Sequence, residues 1–130
     1  RRLRKSLSDV ALELGLELQY AHTVGEWPHD YQVHLKRLLK TKDAAPFINP
    51  VDPVADGCAD YNTVIAKPMN LELVSQKIQN GSYVNAHQYA EDIRLTLNNA
   101  MTYNSKKHAL HGAAKRVLKS FHDNFAKLQL

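Results

Sequence analysis

The stretch "DYNTVIAKPMNLELVSQKIQNGSYVNAHQYAEDIRLTLNNAMTYN", residues 60 to 104, decides the fold: its apolar residues return at three- and four-residue steps and are punctuated where helices must stop. Within it Asn70 stands as an N-cap before a helix striped by Leu71, Val74 and Ile78, and Asn80 with Gly81 ends that helix. Tyr83 then leads into a longer helix with Tyr89, Ile93, Leu97, Ala100 and Met101 on one face. Ahead of both, a short helical turn around Tyr61 to Ile65 is closed by Pro68, because the residue preceding a proline avoids the helical region.

Working outward, the cleanest stripe is C-terminal, where Leu110, Ala114, Val117, Phe121, Phe125 and Leu128 mark a last helix. Upstream, Pro28 suits a first helical turn, and Tyr31, Leu35, Leu38 and Leu39 follow at helical spacing as far as about Lys42. A further stripe, Leu3, Leu7, Val10, Leu14, Leu18 and Ala21, predicts an additional N-terminal helix. Gly15 in its middle costs on the order of 1 kcal/mol against Ala, so this helix is expected to dock on the rest. None of these stretches alternates as a strand does, and the fold class is all-α.

Between Asp43 and Asp60 the period vanishes. The segment "KDAAPFINPVDPVADGCAD" carries Pro46, Pro50, Pro53 and Gly57 and few helix formers, so it is a long loop. A structureless connection of that length inside a compact domain is functional or disordered. Its apolar residues Pro46, Phe47, Ile48, Val51 and Val54 argue that it packs against something.

Bulk properties set the outer bounds. With 130 residues and 44% hydrophobic content the chain can bury one core, and one domain is expected. It starts at Arg1, shows no apolar signal region and holds no run long enough for a membrane span, and is expected to be a soluble piece of a longer protein. The single cysteine, Cys58, excludes an intramolecular disulfide and a multi-cysteine zinc site and fits the reducing nucleus or cytosol. The formal charge of +4 gathers in "RRLRK" at the start and in Lys106, Lys107, Lys115, Arg116 and Lys119. Either cluster is a solvated surface or a weak DNA contact.

One residue breaks the pattern. The face made by Ile93, Leu97 and Ala100 continues into Tyr103 and Asn104, so an apolar stripe runs directly into polar groups. A buried carboxamide left unpaired costs about 1 to 3 kcal/mol. Either Asn104 is a left-handed helix C-cap with its side chain in solvent, or its carboxamide is satisfied by a ligand that carries an amide on an apolar stem and lies along the loop.

The order of the proline-rich loop, "Y..VI.KPMNL", "I.NG.Y", "D..L...NA..YN" and a closing amphipathic helix resembles the bromodomain, the acetyl-lysine-binding module of chromatin proteins, over roughly residues 28 to 128. The resemblance implies a left-handed four-helix bundle, with helix Z at about 28–42, A near 60–66, B at about 70–79, C from 86 to 104 and D from about 110. It places the ligand between the long ZA loop and the short BC loop, and it leaves residues 1–24 as a helical extension to a domain over 25–130. It also implies an acetyl carbonyl held by the Asn104 amide and, through an ordered water, by Tyr61. Val51 with Pro50 would wall the acetyl methyl, and Pro46 and Phe47 would line the floor. Tyr103 would flank the rim, Leu110 would be the gatekeeper, and Asp56 and Cys58 would stand where many members carry leucines. The implied partners are acetylated histone tails or other acetylated proteins, bound by a nuclear monomer.

Departures from the family pattern are local. Ala45 replaces the tryptophan of the usual Trp-Pro-Phe shelf, and with Asp56 and Cys58 this removes apolar contact at about 25 cal/mol per Å2, which predicts weaker ligand binding. Asp56 would compensate by drawing basic side chains of a histone tail, unless it is simply a solvated carboxylate. His108 and His111 are three apart but lack the further ligands of a metal site, so neither metal nor cofactor is expected. The glycines form no phosphate cradle, no nucleophile sits beside a base, and the chain is not expected to be an enzyme. The competing reading is a degenerate bundle that binds protein or DNA without recognising acetyl-lysine.

Overall fold

A computed structural model describes residues 27–129. The helix expected over residues 3 to 21, and its docking, lie outside the described residues. The described residues form five α-helices and one 3-10 turn: α1 (Pro28–Leu39), η1 (Ala45–Phe47), α2 (Tyr61–Val64), α3 (Leu71–Gln79), α4 (Ala86–Tyr103) and α5 (Ala109–Leu128). The described residues contain no strand, and no helix among them is long and apolar enough to cross a membrane.

Four of the helices close a ring, α1 packing on α3 and α5 while α4 also packs on α3 and α5. The expected stripes face the interior: Leu35, Leu71, Val74, Ile93, Leu97 and Val117 are at most 2% exposed. Burying side chains of this size stabilises by about 1.5 to 3 kcal/mol each. One end of the bundle is closed by aromatic rings, with Tyr31 against Tyr89 and Phe125, and Tyr89 against Phe121, all at centroid separations of 5.5–5.9 Å. Asn104 caps the far end of α4, roughly 20 Å from Tyr89 at the rise of an α-helix.

The short turn expected around Tyr61 to Ile65 is α2, four residues long and shorter than the helix near 60–66 that the resemblance implies, inside the long connection from α1 to α3. Extended backbone at Ile65 ends it, three residues ahead of Pro68. The stripe expected to run to Lys42 stops at Leu39, with Lys40 as C-cap. Gly81, at φ +79°, supplies the left-handed residue that terminates α3 after Asn80.

Asn70 occupies the N-cap position of α3, with extended backbone, yet its side chain does not cap that helix. Its Nδ2 donates to the Ile48 carbonyl at 2.8 Å, and the same carbonyl accepts from the Glu72 N–H at 3.0 Å. The loop thereby satisfies one of the orphan donors of the helix end. Other pegs hold the loop elsewhere. Arg116 grips Asp43 through Nε and Nη2 at 2.9 and 3.0 Å, and the buried Asn99 donates Nδ2 to the Lys67 carbonyl at 2.9 Å.

A polar node locks α3 to α4. Asp92, 9% exposed, accepts at Oδ2 from Lys77 Nζ and from Tyr83 Oη, each at 2.7 Å, and the Lys77 ammonium lies 4.9 Å above the Tyr83 ring centre.

Candidate functional site

The end of the bundle opposite the aromatic cluster is hollow. An inner cavity of about 60 Å3 lies beneath an open cleft of about 710 Å3. Pro46, Val51, Tyr61, Asn104 and Leu110 line both. The inner volume is enough for several waters.

Each wall has a local cause. The 3-10 turn of Ala45–Phe47 tucks Phe47 inward to 7% exposure, where it lines the inner cavity beside Pro46. Beyond it the prolines deny the chain a regular ladder, so Val51 stays on the surface at 41% exposure and borders the opening. Tyr61 begins α2 and is buried, and burial pushes its hydroxyl above the ordinary tyrosine range. It stays a neutral hydrogen-bonding group at physiological pH.

Asn104 is the C-cap of α4, but in extended conformation (φ −96°, ψ 135°) rather than left-handed. The chain therefore turns away from the helix axis here. The carboxamide stays against the helix end and donates one Nδ2 hydrogen to the Ala100 carbonyl at 2.9 Å. An amide nitrogen carries two hydrogens, so a second N–H remains beside the cavity it lines. The turn is held from behind, since His111 Nδ1 lies 2.9 Å from the Asn104 carbonyl and must donate to it. His108 accepts at Nδ1 from the Leu110 N–H at 3.0 Å, as the N-cap of α5. Both histidines thus use Nδ1 in local bonds. No cluster of three or more metal-ligating side chains occurs among the described residues.

The outer cleft collects most of the remaining expected residues. Asp56, Cys58 and Tyr103 line it with Asp60 and His108. Asp56 is partly committed, its Oδ2 accepting from the Asp52 N–H at 3.0 Å. Burial, then the neighbouring Asp56, Asp60 and Asp52 carboxylates, raise the Cys58 thiol above its ordinary value, the opposite of what an activated nucleophile needs. Pro50 is exposed and lines neither cavity, because the backbone carries it outside while Val51 takes the wall. Asn49, Met69 and Thr96 line the inner cavity without having been singled out from the sequence.

Also missed was a second stripe on α4. Asp92, Thr96, Asn99 and Tyr103 recur at steps of four, three and four residues beside the apolar face, and each turns a polar atom to a fixed partner. Helical spacing of polar residues was the available signal. Tyr103 at its end donates to Asp60 Oδ1 at 2.5 Å. That bond to the carboxylate is the main reason its hydroxyl is pushed up to about 12.

The sequence matches the family model described as Bromodomain over residues 31–116. Among curated proteins of Arabidopsis thaliana, transcription factor GTE2 is 39% identical over 87 residues, 67% of this chain and 15% of that protein. Transcription factor GTE7 is 42% identical over 91 residues, covering 70% of this chain and 15% of its own length. Transcription factor GTE3, chloroplastic, is 37% identical over 95 residues, or 73% and 21%. The chain therefore spans between 15% and 21% of the length of these relatives. The family match begins at Tyr31 in the core of α1, takes in the whole loop that walls the cavity and ends within α5, and the chain belongs to the bromodomain family.

Proposed function

We propose that this bromodomain binds acetyl-lysine in the inner cavity and reads acetylated histone tails, or other acetylated proteins, in nuclear chromatin. The observation that carries the reading is Asn104, whose carboxamide gives one hydrogen to Ala100 and keeps a second at a cavity whose apolar walls include Pro46, Phe47, Val51 and Leu110. Acetylation turns a charged ammonium into a neutral amide on an apolar stem. The stem suits the apolar walls, the carbonyl suits the Asn104 N–H, and Tyr61 can reach the same oxygen through a water. An unmodified ammonium would be desolvated opposite an amide donor, which is costly. Selectivity for the modified residue follows from that contrast.

The relatives' description as transcription factors supports a role in transcription regulation. A DNA-binding bundle is the weaker reading, because Arg116 is engaged with Asp43 and Lys119 with Asp123, leaving the C-terminal basic cluster partly neutralised. The test is titration of an acetylated histone-peptide panel against wild type and Asn104→Phe, with unmodified peptides as controls. Acetyl-dependent binding that disappears in the variant is expected. No binding across a broad panel, with both proteins folded, would sink the reading and favour an interaction bundle.

A further inference from the structure

Asp60 is well suited to cap α2, since it stands at the N-cap position, yet it makes no side-chain cap bond to that helix. Its carboxylate instead accepts from Tyr103, across 43 residues of chain. Tyr103 simultaneously sets its ring against Tyr61, with centroids 5.0 Å apart and planes at 57°. Residues 60 and 61 are thus both tied to Tyr103, and Tyr103 is the covalent neighbour of Asn104.

The tie matters because of where the loop is held. Among the described residues, Asp43, Ile48 and Lys67 are its other hydrogen-bonded attachments to the bundle helices or their caps. From residue 49 to residue 66 the Asp60–Tyr103 bond is the one hydrogen bond that crosses to the bundle; the remainder are local to the loop. Over that span the loop delivers both Val51 and Tyr61 to the cavity. That bond, beside the Tyr61–Tyr103 ring contact, ties the wall that carries Tyr61 to the wall that carries Asn104.

We propose that Asp60 is a positioning residue of the ligand site, acting through Tyr103 to set the span between the two polar anchors of the acetyl group, and so governing how long a ligand stays bound. This rests on the acetyl-lysine reading above. The bond joins two side chains of the domain itself, so a ligand does not have to supply the tie that holds this part of the loop. Asp60 lines the outer cleft and not the inner cavity.

The experiment takes the tightest acetylated histone peptide of the panel and measures affinity and dissociation rate for wild type, Tyr103→Phe, Asp60→Ala, Asp60→Asn and the Tyr103→Phe/Asp60→Ala pair, with a thermal melt of each. Tyr103→Phe keeps the ring against Tyr61 and removes only the donor. It and Asp60→Ala are each expected to weaken binding about fivefold, the worth of one such hydrogen bond, through faster dissociation. The pair should be no worse than either single change, because both break the same bond. Asp60→Asn retains an oxygen that can accept from Tyr103 and should recover much of the loss, which a purely structural role for the side chain's charge would not produce. Wild-type affinity in Tyr103→Phe, or losses that add in the pair, would overturn the inference while leaving the acetyl-lysine reading intact. If the wild type binds no acetylated peptide, that reading fails and this inference falls with it.

Discussion

Removing the Asp92 carboxylate tests whether the polar node, rather than apolar packing alone, locks α3 to α4. Asp92→Ala strips the acceptor from Tyr83 Oη, which sits in a side chain only 6% exposed. A buried hydroxyl left without a partner costs about 1 to 3 kcal/mol. The same change frees Lys77, whose side chain is 31% exposed and can reach water, so that half of the node is worth about 0.5 to 1 kcal/mol after screening. The sum is about 3 kcal/mol, which for a domain of this size lowers the melting temperature by roughly 10 °C. Tyr83→Phe removes a donor but leaves Asp92 paired with Lys77, and should cost about 1 kcal/mol. Equilibrium urea unfolding measures both, with an unchanged denaturant slope as the condition for comparing them. The Asp92→Ala/Tyr83→Phe pair should lose less than the sum of the single changes, since the second finds the bond already broken. A loss below about 0.5 kcal/mol in Asp92→Ala, within the range of neutral surface changes, would refute the reasoning.

Two further outcomes are expected. Asn99→Leu leaves the Lys67 carbonyl without its donor, and amide exchange of residues 65 to 69 should quicken while the bundle amides hold, which equal exchange throughout would contradict. Tyr103 is pushed up to about 12, chiefly by the Asp60 carboxylate; a hydroxyl harder to ionise when folded stabilises fully below the ordinary tyrosine range near pH 10 and loses that contribution as pH rises toward 12. Burial also raises Tyr31, Tyr61, Tyr83 and Tyr89, so the check is the difference between two phenolate absorbance titrations: one tyrosine should titrate at lower pH in Asp60→Ala than in the wild type, and superimposable curves would contradict the assignment.

Much of the fold was legible because helical periodicity is a local property. Leu71, Val74 and Ile78, or Ile93, Leu97 and Ala100, declare an inward face from spacing alone, and all six are buried. The cavity walls were legible through the family resemblance, which singled out Tyr61, Asn104, Phe47, Val51 and Leu110, all of which line one cavity. Pro50 was not separable from Val51 by sequence, since which of two neighbours faces inward depends on backbone torsions in an irregular loop. The short length of α2 was legible, because Pro68 closes the stretch after Tyr61 to Ile65, and the helix is the single turn Tyr61–Val64.

What the sequence determined by itself is the helical stripes, the long proline-rich interruption and the anomaly of Asn104 at the end of an apolar face. Each follows from residues within a few positions of one another. What only the tertiary structure decided is where the polar side chains spend their hydrogen bonds. Asn70 leaves its own helix for Ile48, Asp60 leaves its own for Tyr103, and Asn99 reaches Lys67. In each case a local cap or a solvated side chain was the alternative. For Asn70 and Asn99 packing brings a part-buried carbonyl within reach, and an unsatisfied polar group in the interior costs more than a local cap returns, whereas Asp60 meets Tyr103 at the exposed rim because the loop lays α2 beside the end of α4.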